Sequence, residues 1–457
     1  MAQDLERTAD ELSAFADSGV KKAEEKGAEE AEAFVSSINT LSITMKTGAV
    51  SATQGSSQGV GMRVVLGKKV GFAATSGIDK AKIEHTTQEA LEVAKIRPSD
   101  PKFNPLPDPV RIPSSDGIID ENLLGLSETE VLKEVSALSK AALEADKRVK
   151  ALFGSFVALK GAFAVANSRG IASCSKSAVI RGGVYLTAIE HGRQKTGSED
   201  LDTRKLVDFS EVGSKAAQRA VRMLESKPLK KSFRTRVVWE NVSIAPLLQG
   251  MLNEASNARN VHEGKSFFKD RLGQEVASKA FTVVDDGQLP EGLLTFKVDT
   301  EGIPLQKTTL IEKGVLRGYI YDSYSAIQEN RKSTGSAGRN WPEPFLSTPT
   351  IQASNIVLKP GSRGLDELVG EVDEGILVTD FVMGCGHANL TTGEFSVVAP
   401  SAFLIAKGEV KNPLEPVTIA GNFFNSLKSI TEVGSDSKIT GYGKIPSLII
   451  EDLSVSG

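Results

Sequence analysis

The chain has 457 residues, 40% of them hydrophobic and 25% charged, a composition too apolar for intrinsic disorder and long enough for two domains with a core each. Its 54 basic and 58 acidic residues leave a formal net charge of -4. No stretch gathers Lys and Arg with interleaved aromatics into a phosphate-binding stripe, which argues against nucleic acid as a direct partner.

Leu5, Ala9, Leu12, Ala16, Val20 and Ala23 recur at helical spacing among acidic and basic residues, so the chain opens with an amphipathic helix. β-Branched residues then accumulate over 33–45, and GVGMRVVLG at 59–67 reads as a strand bounded by turn glycines. Residues 79–96 return to helical periodicity. Between Pro98 and Pro113 lie six of the 18 prolines, which remove backbone donors and bias their predecessors away from helix, giving an irregular connector. Ser127 followed by Glu130 is a capping box opening a helix that runs to about residue 146. Residues 153–165 and 177–190 read as two strands of a hairpin joined through NSRG at 167–170. A third long helix covers about 209–224.

The second half has a different texture. After a strand at 235–240, helices are expected at 243–260, 322–330, 364–371 and 422–431. Short apolar runs at 308–312, 355–358, 375–381, 395–398, 402–406 and 446–453 are separated by Gly and charged turns. The reading is an α+β protein: an α/β half over residues 1–230 and a β-rich half over 231–457, with a closed barrel-like or sandwiched antiparallel core in the second. No internal repeat is present. Cys174 and Cys385 are the only cysteines, too few for a disulfide framework and compatible with a reducing compartment. The first thirty residues are acidic and amphipathic rather than basic then apolar, and no run of about 18 apolar residues occurs, so a cytoplasmic location is expected.

Candidate chemistry is sparse. With four His and two Cys in the chain, no local cluster supplies three metal ligands. His262-Glu263 forms a His-Glu pair, but Ser266 and Phe267 stand where a second His would be needed, and the pair reads as a solvated loop. Cys385 and His387 sit two apart in a Gly-rich turn and read as a packed thiol beside a surface imidazole; His85 and His191 are isolated. There is no Gly-x-Ser-x-Gly elbow. The glycines of 59–67 lack the Gly-Lys-Ser/Thr ending of a phosphate loop and read as strand-edge residues.

Several segments together resemble the TldD/PmbA family, in family order over nearly the whole chain. They are GVGMRVVLG at 59–67, NSRG at 167–170, YLTAIE at 185–190, FKVDTEGIP at 296–304, TLIEKGVL at 309–316, YDSYSA at 321–326, TGSA at 334–337, NLTTGEF at 389–395, IAGN at 419–422 and PSLII at 446–450. The resemblance implies a two-subunit system, TldD with a metal and PmbA/TldE without it, that trims or degrades unfolded peptides inside the cell. TldD-like members carry His-Glu, three residues, then His on a helix, where imidazoles bind zinc and the carboxylate acts as base, with a cysteine near the C-terminus completing the site. Aligned on the helix after strand 235–240, this chain has Asn253, Glu254 and Ala258 at those positions, and Asp436 or a neighbour where the cysteine would be. Only the glutamate is retained, either as a helix-surface carboxylate or as a contact for a peptide amide.

The expectation is therefore a PmbA/TldE-like subunit without a metal or other cofactor, forming a homodimer alone and joining a TldD-like, zinc-bearing metallopeptidase partner to process unfolded peptides. Asn253 and Glu254 are the expected cleft residues. The alternatives are a self-sufficient metallopeptidase with a different ligand set and a modulator of DNA gyrase, the latter opposed by the charge balance.

Overall fold

A computed structural model describes residues 2–457 apart from Gly48, Asn104, Pro113 and Ser114. The first half is built on one antiparallel sheet of six strands: β1 (Glu30–Lys46), β2 (Ala49–Leu66), β3 (Lys69–Ser76), β4 (Val149–Asn167), β5 (Ala172–Glu190) and β6 (Arg193–Thr203), in spatial order β3-β2-β1-β4-β5-β6. The helices are α1 (Ala2–Glu25), α2 (Lys80–Ile96), α3 (Glu121–Gly125), α4 (Glu128–Ala145) and α5 (Ser210–Arg222). Period-two alternation assigns each side of the sheet a different partner. Ala31, Ala33, Val35, Ile43 and Met45 of β1, with Ala162, Ala164 and Ala166 of β4, pack in the core under the helices. Their neighbours Phe34, Phe163 and Val165 face the other way, against Val298, Ile303 and Phe345 of the second half.

Local chemistry fixes several boundaries. The Asp79 carboxylate accepts from Lys82 N and starts α2. Ser127 and Glu130 form the reciprocal capping box that opens α4, the Ser127 hydroxyl accepting from Glu130 N at 3.2 Å and the Glu130 carboxylate from Ser127 N at 2.8 Å. We expect Ser127→Ala to lower stability by about 0.5–2 kcal/mol in urea titration, with α4 retained. At 167–170 the Asn167 side chain accepts from Arg169 N and Ile171 N, and Gly170 takes φ 105° to close the hairpin. Gly71 lets α2 lie directly on β3, since a methyl there would stand 2.0 Å from Ala90 O.

The second half holds two open, mixed sheets. The larger, eight-stranded sheet includes β7 (Phe233–Trp239), which pairs parallel with Glu374–Thr379 on one side and antiparallel with Leu448–Ser456 on the other. The smaller has six short strands from Val283–Asp286 through Gly443–Ile445, including a parallel pair between Ile356–Leu358 and Gly443–Ile445. Neither sheet closes into a barrel, one of the two forms expected for this half; each keeps two edge strands, and each contains a parallel pair where antiparallel pairing was expected throughout. The architecture is α+β with a fully antiparallel first sheet.

Between the two sheets runs α6 (Asn241–Ser256). Its Ile244, Leu247, Leu248, Met251 and Leu252 share one core with Val237, Ile376 and Val378 of the larger sheet and Val283, Leu310 and Ile356 of the smaller. A helix buried so widely cannot show the one-sided periodicity of a surface helix. The helix expected to reach residue 260 ends at Ser256, because the Asn257 side chain accepts from Arg259 N and Asn260 N and starts a separate turn, α7 (Ala258–His262).

Candidate functional site

The halves meet along the sheet face opposite the helices, and a cavity of about 530 Å³ opens between them. One wall is the β4-β5-β6 surface with Phe153, Ser155, Tyr185, Asp200 and Asp202; the other is the start of α6 with Val242, Ala245 and Pro246, together with Lys438, Thr440 and Tyr442. Phe153 and Tyr185 are directly paired across β4 and β5, their ring centroids 6.5 Å apart, and both are more than 40% exposed. Large apolar side chains left open in a concave interdomain surface mark a binding site. Pro246 lies inside α6 and supplies no N–H to the Val242 carbonyl one turn earlier, so helix backbone at the cleft wall lacks its usual donor.

Charged groups behind the cleft tie the halves together. Arg219 of α5 donates to Asp380, to Glu240 at 2.7 Å and toward Glu199 at 3.5 Å. Lys438 donates to Glu199 at 2.8 Å, and Asp202, which accepts from Arg181 of its own half at 3.2 Å, also accepts from Gly441 N of the other. Burial pulls the Arg219 guanidinium down, but the surrounding carboxylates hold it above its usual value. Burial likewise raises Glu240 and Asp380, against the pull of Arg219.

The residues singled out in sequence are dispersed by the fold. Asn253 and Glu254 lie together near the end of α6, and their polar atoms are committed: Asn253 Nδ2 donates to Glu254 Oε1 at 3.0 Å, Ala353 N donates to Asn253 Oδ1 at 2.7 Å, and Asn260 Nδ2 donates to Glu254 Oε2 at 2.8 Å. Ala258 is on α7 rather than α6 and is fully buried in the core. Asp436 sits at the opposite end of α6, its backbone carbonyl accepting from Asn241 Nδ2 and its carboxylate from Ser447 N and Oγ. At 1.5 Å per residue the α6 backbone separates Asn241 from Asn253 by about 18 Å, so the structure does not bring Asp436 to the Asn253–Glu254 pair.

The other candidates fare similarly. His262 ends α7 instead of lying in a loop, and its Nε2 contacts Glu329, whose other oxygen accepts from Tyr321 Oη at 2.9 Å. Cys385 is half-buried in a short turn, its thiol pushed up to about 11 by burial, and His387 beside it is exposed. His85 is an exposed residue of α2, within 3.4 Å of Glu89.

A metal does not fit the positions singled out in sequence. A carboxamide bonded to a neighbouring carboxylate, a methyl group in the core and a carboxylate at the far end of the helix make no tetrahedral set. Among the described residues, no group of three His, Cys, Asp or Glu side chains could hold a metal ion. No helix among them is long and apolar enough to cross a membrane.

The arrangement is that of a two-part α+β protein with an aromatic, acid-lined cleft between an antiparallel sheet and a central helix. The chain belongs to the PmbA/TldD family. Its family models match in three pieces: PmbA/TldA metallopeptidase domain 1 at residues 31–94, the central domain at 121–224 and the C-terminal domain at 232–457. The first two pieces share the single six-stranded sheet. The chain is 27% identical over 455 residues to a metalloprotease PmbA homolog of Haemophilus influenzae, covering 94% of this chain and 93% of that one. It is 26% identical over 410 residues to an uncharacterized protein of Methanocaldococcus jannaschii, covering 90% and 92%. In fold it is similar to TldE from Thermococcus kodakarensis, with a TM-score of 0.88, 23% identity and coverage of 97% of this chain and 100% of that one. A Thermotoga maritima structure described as a candidate modulator of a DNA gyrase gives the same TM-score at 24% identity, covering 97% and 99%.

Asp200 and Asp202 were not singled out in sequence. The signal available was the alternation of acidic residues after the turn at 191–192, which places both carboxylates on one face of a strand.

Proposed function

We propose that this chain is the PmbA/TldE-like subunit of an intracellular peptidase system, without a catalytic metal of its own, and that it holds extended, unfolded peptides in its interdomain cleft. In this reading it forms a homodimer alone and joins a TldD-like metallopeptidase partner, which carries the zinc. The observation that carries the reading is the combination of an open aromatic cleft with Asn253 and Glu254 bonded to each other, to the backbone and to Asn260. Those residues are held by their hydrogen bonds and include no imidazole or thiolate, whereas the cleft offers apolar walls and backbone. Losing even groups that orient metal ligands costs about 10- to 100-fold in affinity, and losing the imidazoles themselves costs more.

Two measurements test it together. Metal analysis of the dialysed protein is expected to find no stoichiometric zinc; one zinc per chain, lost on chelation together with activity, makes it a self-sufficient metallopeptidase instead. Adding the protein to a TldD-like partner is expected to raise the partner's rate of peptide hydrolysis, with a mixed complex in solution. An unchanged rate and no co-migrating complex would sink the subunit assignment.

A further inference from the structure

Asp200 is the one acid of the cleft without a partner of its own. Arg181 serves Asp202, Lys438 serves Glu199, and Arg219 serves Glu240 and Asp380. Among the described residues no hydrogen bond or ion pair is made to the Asp200 carboxylate, although it is largely withdrawn from solvent and lines the cavity. Space for it is provided by Gly183 opposite on β5: a methyl group there would stand 2.2 Å from Asp200 Oδ1. Phe153, Tyr185 and Tyr442 line the same cavity, and both tyrosines are near enough for the Asp200 charge to raise them. Aromatic rings about a desolvated carboxylate attract a cation twice, through the ring quadrupoles and through the charge.

We propose that this end of the cleft is a pocket for a cationic group of an extended peptide, an α-ammonium or a Lys or Arg side chain, with Asp200 as its counter-charge and Phe153, Tyr185 and Tyr442 as its walls. The proposal rests on the reading of the cleft as a peptide site and adds a charge preference to it. Neither Lys438 nor Arg181 competes for the role, because each already has a carboxylate. Burial foremost, then Asp202, pushes the Asp200 carboxyl up to about 6, with Lys438 pulling it down. The other titratable groups facing it are Glu199 and Asp202 on β6, Asp380 beyond Glu374–Thr379, Tyr185 on β5 and Tyr442. A cation is therefore held above about pH 6 and released as Asp200 takes a proton below it.

The test is binding of three short Ala/Gly-rich peptides to the full chain at pH 7.5 by calorimetry: one with a free N-terminus, one N-acetylated and neutral, and one N-acetylated with a central Lys. At least one cationic peptide is expected to bind more tightly than the neutral one, and the Lys and free-amine arms distinguish the two sources of charge. Asp200→Asn is expected to weaken that peptide roughly ten- to hundredfold, the range for a charged hydrogen bond, and to leave the neutral peptide unchanged. Lowering the pH to 5 should shrink the preference in the parent protein by up to about tenfold and change nothing in the variant. Equal affinities for all three peptides, lost on Phe153→Ala, would overturn the charge preference while leaving the peptide cleft standing. No binding by any peptide would overturn both. Cooperative unfolding of Asp200→Asn serves as the check that the variant is folded.

Discussion

Replacing Glu32 by Gln is expected to destabilise the protein by about 3–5 kcal/mol, because it removes one partner from a buried ionic cluster and leaves the others uncompensated. Glu32 is on β1 at the face toward the second half and is 1% exposed. Its Oε1 accepts from Arg339 Nη2 at 2.8 Å and its Oε2 from Arg63 Nη2, directly opposite on β2. Arg63 also reaches Glu301 of the second half at 3.2 Å, and Glu301 in turn accepts from Ser323 N. The arginines differ in position. Burial pulls Arg63 down, yet two carboxylates hold it above its usual value, whereas burial of Arg339, with Arg63 adding to it, brings that guanidinium down to about 10. Arg339 depends on Glu32, since its remaining contacts are the Ser347 carbonyl and the ring of Phe34 at 4.4 Å.

Urea titration measures the loss. Glu6→Gln, which breaks the exposed Lys176–Glu6 pair, is the control and should stay within about 1 kcal/mol of the parent. The double change Glu32→Met with Arg339→Met should recover much of the loss, because removing both charges leaves no unpaired ion and Arg63 keeps Glu301. A loss below about 1 kcal/mol for Glu32→Gln would mean that water reaches Arg339 and that the halves are not closed on each other at this point.

The sequence was legible wherever residue type and pairing agree. The β-branched run of β1, the Ser127–Glu130 box and the Asn167–Gly170 turn were each recoverable from a few residues, and each is present. The first ten residues of β2, rich in Ala, Ser, Thr, Gln and Gly, carry no strand propensity of their own; seventeen-residue register with β1 makes them strand. β6 was missed for the same reason. RQKTGSEDLDT reads as a polar loop, but it pairs along β5 and is covered by α5, with Gly197 admitting Ala220 N so closely that a methyl would stand 2.2 Å away. That omission hid Asp200 and Asp202, and with them the acidic side of the cleft. The helix break at Asn257 was hidden differently: an Asn can continue a helix or cap the next one, and only the turn toward Arg259 N decides which. The mixed strand order of the two later sheets depends on parallel pairings between segments over eighty residues apart, such as Ile356 with Gly443, which no local pattern encodes.

Arg219→Met is expected to cost about 3–5 kcal/mol at pH 8 and much less at pH 5. The arginine is the shared partner of Asp380, Glu240 and Glu199, all behind the cleft, and it joins α5 of the first half to the ends of β7 and Glu374–Thr379 in the second. Desolvation already raises Glu240 and Asp380 with Arg219 in place. A carboxyl raised in the folded state binds more protons there than in the unfolded chain, so it lowers stability as the pH climbs from the ordinary carboxylate range through the folded value. Removing the guanidinium takes away the pull that limits this rise and moves the window toward neutral pH. At pH 5 the acids can be neutralised by protons and tolerate burial; at pH 8 they must stay charged or unfold. The measurement is urea titration of parent and variant at both pH values, with Lys215→Met, an exposed i,i+4 pair on the same helix, as the control. Equal losses at pH 5 and pH 8 would show that the carboxylates are solvated once Arg219 is gone. A loss that grows with pH would establish this cluster as the ionic clamp that holds the β6 wall of the cleft against α6.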